Sequence, residues 1–151
     1  MLYAGVDLGT SAVKLHLMDG EGKIRKIVPR EYPLYFPHPG WSEQKPEDWY
    51  AMTIDGLKEL LADSDKSELA GISFGGQMHG LVILDDQDQV IRPAILWNDG
   101  RTTKETAYLN EVIGKETLSK YTANIAFTGF TAPKILWVKE NEPENFARIA
   151  K

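Results

Sequence analysis

Short apolar segments open the chain, and each ends at a turn rich in glycine or polar residues. Three strands are predicted there, over residues 1–6, 12–18 and 23–28. In the second of them, Val13, Leu15 and Leu17 fall on one face because side chains alternate across a strand. Since the intervening turns are short, the three strands are expected to form an antiparallel meander.

A proline-rich stretch separates this meander from the first long helix. Residues 29–46 hold five prolines and are expected to form an ordered surface loop, because regular structure tolerates few prolines. Pro46 suits the first turn of a helix. The apolar residues that follow at helical spacing are Tyr50, Ile54, Leu57 and Leu61. The pattern therefore predicts an amphipathic helix from Pro46 onward.

Strands and helices then alternate. A buried strand is predicted over residues 69–74, short strands over 80–84 and 89–91, and an apolar run over 94–97. Helices are predicted from a cap at Asn98 or Asp99 towards Ile113, over 115–121 and over 133–141. A meander followed by such alternation indicates an α/β domain.

Composition narrows the class of protein. Among the 151 residues, 42% are hydrophobic and 26% charged, which is typical of a globular domain. The net charge of −5 argues against nucleic acid or an anionic membrane as partner. Without cysteine, disulfides and thiolate metal sites are excluded. No apolar run is long enough to span a bilayer, so a cytoplasmic protein is expected.

The first segment with chemical content is the turn after the first strand. Gly9 lets backbone amides approach a phosphate, and Thr10 and Ser11 add hydroxyl donors. Asp7 at the strand end is a candidate ligand for a hydrated magnesium ion, and Lys14 lies nearby in sequence. A plain hairpin turn is the alternative interpretation of the same residues. The spacing excludes a Walker loop.

Four later segments, in this order, carry a family resemblance: 41–44 (WSEQ), 75–80 (GGQMHG), 94–101 (AILWNDGR) and 129–138 (GFTAPKILWV). With the turn at Asp7, they closely resemble the FGGY carbohydrate kinases and, within that family, the kinases that act on xylulose. The resemblance implies an actin-like ATPase (ribonuclease H-like) fold. Its sheet is mixed, with an N-terminal antiparallel meander and flanking helices.

The resemblance also implies a sugar site. Gln77 and His79 both donate and accept hydrogen bonds, as a polyol requires, and Met78 can pack on the carbon face. Trp97 is expected to edge the same pocket, although a core tryptophan is the competing interpretation. Asp99 and Arg101 are interpreted as structural, either as a local ion pair or with Asp99 as a helix cap.

The activity implied is transfer of the ATP γ-phosphate to D-xylulose, which gives D-xylulose 5-phosphate, with Mg²⁺ near Asp7. Two alternatives stay open: a kinase of another pentulose or of a sugar acid, and a non-metabolic actin-like module that binds nucleotide. An Arg-Glu pair typical of glycerol kinases is absent at residues 78–79.

Residues 1–151 are expected to be the N-terminal portion of the kinase's N-terminal domain. The family's catalytic aspartate lies in a Gly-Asp-Asn segment, which residues 1–151 do not contain. The C-terminal adenosine-binding domain is also expected beyond this chain, so the chain alone is expected to be inactive. A homodimer of the full-length protein is left open.

Overall fold

The computed structural model describes residues 1–151, which divide into two compact units. Unit 1 comprises Met1–Leu34 and Glu47–Gln77, and unit 2 comprises Tyr35–Pro46 and Met78–Lys151. The helices are all too short or too polar to cross a lipid bilayer.

The strands and helices follow in chain order. The strands are β1 Leu2–Leu8, β2 Ala12–Asp19, β3 Ile24–Glu31, β4 Glu43–Gln44, β5 Leu69–Gly76 and β6 Ala94–Ile95. The helices are α1 Pro46–Leu60, α2 Thr103–Tyr108, α3 Lys115–Thr122, α4 Thr131–Asn141 and α5 Pro143–Ala147. A 3₁₀ turn spans Lys66–Glu68, and a π-helical segment spans Leu109–Gly114.

Unit 1 is built on a four-stranded sheet in the order β3-β2-β1-β5. The first three strands pair antiparallel, and β5 pairs parallel to β1. The predicted meander and mixed sheet are therefore confirmed. Val13, Leu15 and Leu17 are buried as predicted, and α1 packs over them. A methyl group at Gly56 of α1 would lie 2.4 Å from Leu15 Cδ1, so glycine allows this close approach.

The two edges of this sheet differ from the prediction. β5 is not buried: Ile72 is 44% and Phe74 62% exposed, because the buried core takes its strand residues from β1, β2 and β3. β3 extends three residues past its predicted end, to Glu31. Pro29 is tolerated within it because an edge strand leaves one side without partners.

Unit 2 has a small core around α4. Leu81, Ile83, Ile95, Trp137 and Val138 form this core. Next to it, β4 pairs antiparallel with β6.

The strands predicted over residues 80–84 and 89–91 are wrong, because only the isolated bridges Leu81–Ile95 and Leu84–Val90 form. Leu84 instead bonds its amide and carbonyl to Lys151 and Ala150 at the chain end.

The helix predicted from Asn98 or Asp99 starts later, at Thr103. Asp99 does not cap it, because its carboxylate is occupied by Ser42 and Arg101. Gly114, with φ of +95°, separates the π-helical segment from α3, as expected of a helix-stopping glycine. The third predicted helix is confirmed to Asn141 and begins at Thr131, and α5 was not predicted.

A buried network of charges joins these segments of unit 2. Arg101 pairs with Asp99 and Glu43, both at 2.8 Å. Arg92 pairs with the same oxygen of Glu43 at 2.5 Å and with Glu142 at 3.0 Å. The side chains of Asp99 and Arg101 are 0% and 1% exposed.

Two tryptophans enclose this network. The Arg101 guanidinium lies 3.7 Å from the ring centre of Trp41 and 4.9 Å from that of Trp137. The two rings meet edge to face at 5.3 Å. Asp99 also accepts the Ser42 backbone amide at 2.6 Å. Water is excluded from the Arg101–Asp99 pair, so these two charges depend on their protein partners rather than on solvent.

We expect Asp99→Asn to lower the free energy of unfolding by about 1.5–3 kcal/mol, because the buried Arg101 loses one of its two carboxylate partners and keeps only Glu43. The matched control is Glu140→Gln, which breaks the exposed Lys104–Glu140 pair and should cost less than about 1 kcal/mol. Urea unfolding followed by tryptophan fluorescence measures both. Equal losses in the two variants would show that the buried network does not stabilise the protein.

Candidate functional site

The predicted phosphate turn joins β1 to β2 in unit 1. Gly9 donates its amide to the Ala12 carbonyl at 3.0 Å and closes a tight turn. A methyl group at Gly9 would lie 3.0 Å from the same oxygen, closer than side chains normally approach. Thr10 is half-buried and Ser11 is exposed. The turn therefore presents main chain and hydroxyl groups with no bulky side chain at its tip.

Tyr32 fixes this turn from the core side. Its hydroxyl donates to the Gly9 carbonyl, and its amide donates to the Ser11 carbonyl at 3.3 Å. Burial, assisted by the negative charge of Asp7, raises the pKa of Tyr32 to about 12. Nothing in the sequence pattern connects residue 32 to residue 9, so the sequence does not predict that Tyr32 supports this turn.

Asp7 and Lys14 lie directly opposite each other on β1 and β2. Cross-strand partners share a face of the sheet, so the two side chains lie on the same side, and both are exposed. On the other side of Asp7 its partner in β5 is Gly75, which has no side chain to cover the carboxylate. The structure thus brings the predicted metal residue and the predicted phosphate lysine together.

Gln77 also lies against this turn. The Thr10 hydroxyl donates to its side-chain oxygen at 3.3 Å, and its amide donates to the Leu8 carbonyl at 2.9 Å. At Gly76 a methyl group would lie 2.9 Å from the Leu8 carbonyl oxygen, so this approach needs glycine. One residue predicted to bind sugar is therefore hydrogen-bonded to one predicted to bind phosphate.

The fit of a metal ion depends on its donors. The structure contains no group of three or more His, Cys, Asp or Glu side chains able to hold an ion. A single exposed carboxylate, Asp7, beside a glycine turn matches Mg²⁺, which keeps several waters and binds through one or two carboxylates plus phosphate oxygens. The residues present therefore fit a hydrated magnesium ion and do not form an all-protein cage.

In unit 2, His79 has an unusual main-chain conformation. Its φ is +64°, which costs a residue other than glycine roughly 1–3 kcal/mol. Its ring stacks on Phe130, with centres 4.3 Å apart and an interplanar angle of 13°. Both rings line a cavity of about 370 Å³ whose other walls are mainly apolar, including Leu109, Leu118 and Ile125. A strained residue at a cavity wall is a common sign of a functional position.

Met78 and Trp97 occupy different surroundings. Met78 is 71% and Trp97 48% exposed, and neither lines the cavity that His79 borders. Because about half of Trp97 is exposed, although it follows the fully buried Leu96, the competing interpretation of Trp97 as a core residue is wrong. Behind it, a methyl group at Gly129 would lie 2.4 Å from the Trp97 carbonyl oxygen, so the main chains touch there.

Sequence reasoning missed the role of Lys134. It lies on the buried side of α4 with Pro133, Trp137 and Val138, and its own exposure is 0%. The helical spacing of Lys134 with Trp137 and Val138 was a signal in the sequence, because a lysine on the buried face of a helix requires polar partners.

Comparison with known proteins adds independent findings. The profile of the N-terminal domain of the FGGY family of carbohydrate kinases matches residues 2–151. A xylulose kinase of Bacillus subtilis (strain 168) is 49% identical over 148 residues, which cover 97% of this chain and 30% of that protein.

Solved structures agree with this similarity. A xylulose kinase from Rhodospirillum rubrum superposes with a TM-score of 0.94 at 30% identity, over 100% of this chain and 31% of that one. A gluconate kinase from Lactobacillus acidophilus gives 0.92 at 26% identity, over 99% of this chain and 30% of that one. The actin-like fold predicted from the sequence is confirmed. The chain spans about 30% of the length of the curated relatives it matches.

Tyr32→Phe tests the support of the phosphate turn. We expect it to lower the free energy of unfolding by about 1 kcal/mol, the usual value of one hydrogen bond. The pKa of this hydroxyl is 10.0 without perturbation and about 12 in the folded protein. The stabilisation by Tyr32 should be complete below pH 10 and should disappear as the pH rises towards 12, because the unfolded chain then releases a proton that the folded one keeps.

The measurement is the difference between wild type and variant in urea unfolding at several pH values. Tyr50→Phe is the control, because Tyr50 is 72% exposed in the same unit. A difference that stays constant from pH 9 to 12 would contradict a buried Tyr32 hydroxyl.

Proposed function

The chain belongs to the FGGY family of carbohydrate kinases, and we propose that the whole protein transfers the γ-phosphoryl group of ATP to D-xylulose. The product is D-xylulose 5-phosphate. The observation that carries the proposal is the similarity to a xylulose kinase over 97% of this chain, which includes every residue assigned a role below. Because the chain spans about 30% of that relative, the activity is proposed for the whole protein.

The phosphate-binding part of the proposal rests on unit 1. Gly9 exposes the main chain of a tight turn, and Thr10 and Ser11 supply hydroxyl donors for phosphate oxygens. Lys14 adds a positive charge on the sheet face that also carries Asp7. Asp7 would hold a hydrated Mg²⁺, which neutralises phosphate charge when bound. These residues bind and orient the phosphates, which is most of what phosphoryl transfer asks of a protein.

The sugar-binding part rests on Gln77, Met78, His79 and Trp97. His79 and Gln77 offer neutral groups that both donate and accept, which suits vicinal hydroxyls. Met78 and Trp97 expose apolar surface suited to the C–H face of a sugar. The proton of the attacking hydroxyl would go to the family's catalytic aspartate, whose Gly-Asp-Asn segment residues 1–151 do not contain.

A kinase of a sugar acid is the second candidate, supported by the similarity to a gluconate kinase. A carboxylate substrate requires a cation or several donors. Lys134 is a cation in contact with the main chain of His79, but it is fully buried and donates to two carbonyls. It is therefore not free to bind a carboxylate, and this favours a neutral ketose.

The decisive experiment is an ADP-release assay of the whole protein with MgATP and a panel of D-xylulose, D-ribulose and D-gluconate. We expect the largest kcat/KM with D-xylulose, and no turnover by the 151-residue chain alone, since it lacks the aspartate that accepts the proton. A larger kcat/KM with gluconate would replace the first candidate by the second. Nucleotide binding without turnover of any sugar would support a non-metabolic module.

A pair of variants tests the sugar-binding and the phosphate-binding assignments separately. His79→Ala should lower kcat/KM for xylulose at least two- to tenfold, the value of one lost hydrogen bond, while the KM for ATP stays unchanged. Asp7→Asn should lower kcat about a hundredfold and raise the magnesium requirement, because a charge that stabilises the transition state is lost. Each variant serves as the control for the other. His16→Ala, on β2, should change neither parameter. Identical effects of His79→Ala and Asp7→Asn on both substrates would refute these role assignments.

A further inference from the structure

Lys134 is a buried cation that the reaction outlined above does not use. It lies in the first turns of α4, and its side chain is wholly inaccessible to solvent. An ammonium group taken out of water requires strong compensation.

The ammonium donates two short hydrogen bonds to main-chain carbonyls. Nζ lies 2.7 Å from the His79 oxygen and 2.6 Å from the Gly129 oxygen. The two acceptors are 50 residues apart in sequence, so one side chain ties together two loops that no strand pairing connects. Hydrogen bonds from a charged donor to a carbonyl are stronger than those between neutral groups.

Both carbonyls belong to segments that carry the proposed sugar residues. His79 has its main chain in the left-handed region, and the Thr131 hydroxyl gives its carbonyl a further, longer bond of 3.3 Å. Its ring stacks on Phe130, the residue between Gly129 and Thr131. The Gly129 backbone in turn abuts the Trp97 carbonyl. The conformation of His79 is thus fixed at its carbonyl and at its ring by residues 129–134.

We propose that Lys134 is a positioning residue for the sugar: by binding the carbonyls of His79 and Gly129, it holds His79 in the conformation that presents its imidazole to a neutral ketose. This inference rests on the proposed function for the identity of the ligand. The contacts that hold the conformation of His79 are independent of that function.

The surroundings of the ammonium make its charge sensitive to pH. Burial, opposed by the negative charge of Asp99 and assisted by the positive charge of Arg101, lowers the pKa of Lys134 to about 8. On α2, which packs against α4, the carboxylate of Glu105 is buried as well. Lys134 also contacts His79, a titratable residue, but through the main-chain carbonyl of His79 and not through its ring. A neutral amine is a weaker donor, so the hold on His79 should weaken above pH 8.

The first test is steady-state kinetics of the whole protein carrying Lys134→Met, which keeps the length of the side chain but has no donor. We expect the KM for D-xylulose to rise about tenfold or more, as for loss of a charged hydrogen bond, with the KM for ATP unchanged. Lys134→Gln, which keeps an N–H donor, should recover part of the loss. The matched control is Lys139→Met, which removes an exposed lysine from the same helix and should change neither KM.

The second test is the pH profile. In the wild-type protein kcat/KM for xylulose should fall as the pH rises through about 8, and this decline should be absent from Lys134→Met, which has nothing left to titrate. Equal changes in the KM values of both substrates, or an unaltered alkaline decline in the variant, would overturn the proposal.

Two further measurements cover the remaining outcomes. If Lys134→Met fails to fold, Thr131→Val, which removes the longer bond to the same carbonyl, should also raise the KM for xylulose, but by a smaller factor.

If the wild-type protein does not phosphorylate xylulose, the proposed function fails, but the positioning role is still tested by NMR. The His79 ring protons should be shifted by the ring current of Phe130 in the wild type and not in Lys134→Met. A retained shift would overturn the inference.

Discussion

The ion pairs around Arg101 are the constraint on which unit 2 depends. They join residues from position 41 to position 142, and the central pair is closed to water. A buried charge cannot be left without its partner, so any rearrangement that moves one of these segments alone is strongly unfavourable. The small apolar core beside the network stabilises unit 2, but hydrophobic burial is non-directional and does not by itself fix how the segments are oriented. The ion pairs add specific contacts, because Arg92 and Arg101 share the carboxylate of Glu43 and also bind Glu142 and Asp99.

Hydrogen bonds from a buried polar side chain to the main chain of a distant segment occur in both units. Tyr32 binds the Gly9 carbonyl, Lys134 binds the carbonyls of His79 and Gly129, and Asp99 binds the Ser42 amide. In each case a buried polar side chain reaches from a different part of the chain to the main chain of a turn. Most of the side chains proposed to meet substrate are exposed, and Thr10 and Gln77 are half-buried. The protein therefore keeps its binding groups accessible while it fixes the backbone that carries them.

Local patterns predicted the meander and the long helices, but not the short elements of unit 2 or the long-range partners of single residues. The alternation of Val13, Leu15 and Leu17 predicted β2 and its buried face, because strand periodicity is a property of neighbouring residues. The exposure of β5 was not predictable, since an apolar strand looks the same at the edge of a sheet as in its centre. Asp99 was interpreted as a helix cap for a similar reason: its partner Ser42 lies 57 residues away.

The two edges of the sheet in unit 1 have a consequence for how that sheet can be enlarged. β3 contains Pro29, which has no amide hydrogen to offer, and its Arg30 is engaged with Asp55 and Glu59 of α1. β5 carries no proline or charge, and its exposed Ile72 and Phe74 give an added strand something to pack against. An additional strand could therefore pair with the edge of β5, whereas Pro29 disfavours pairing at the edge of β3.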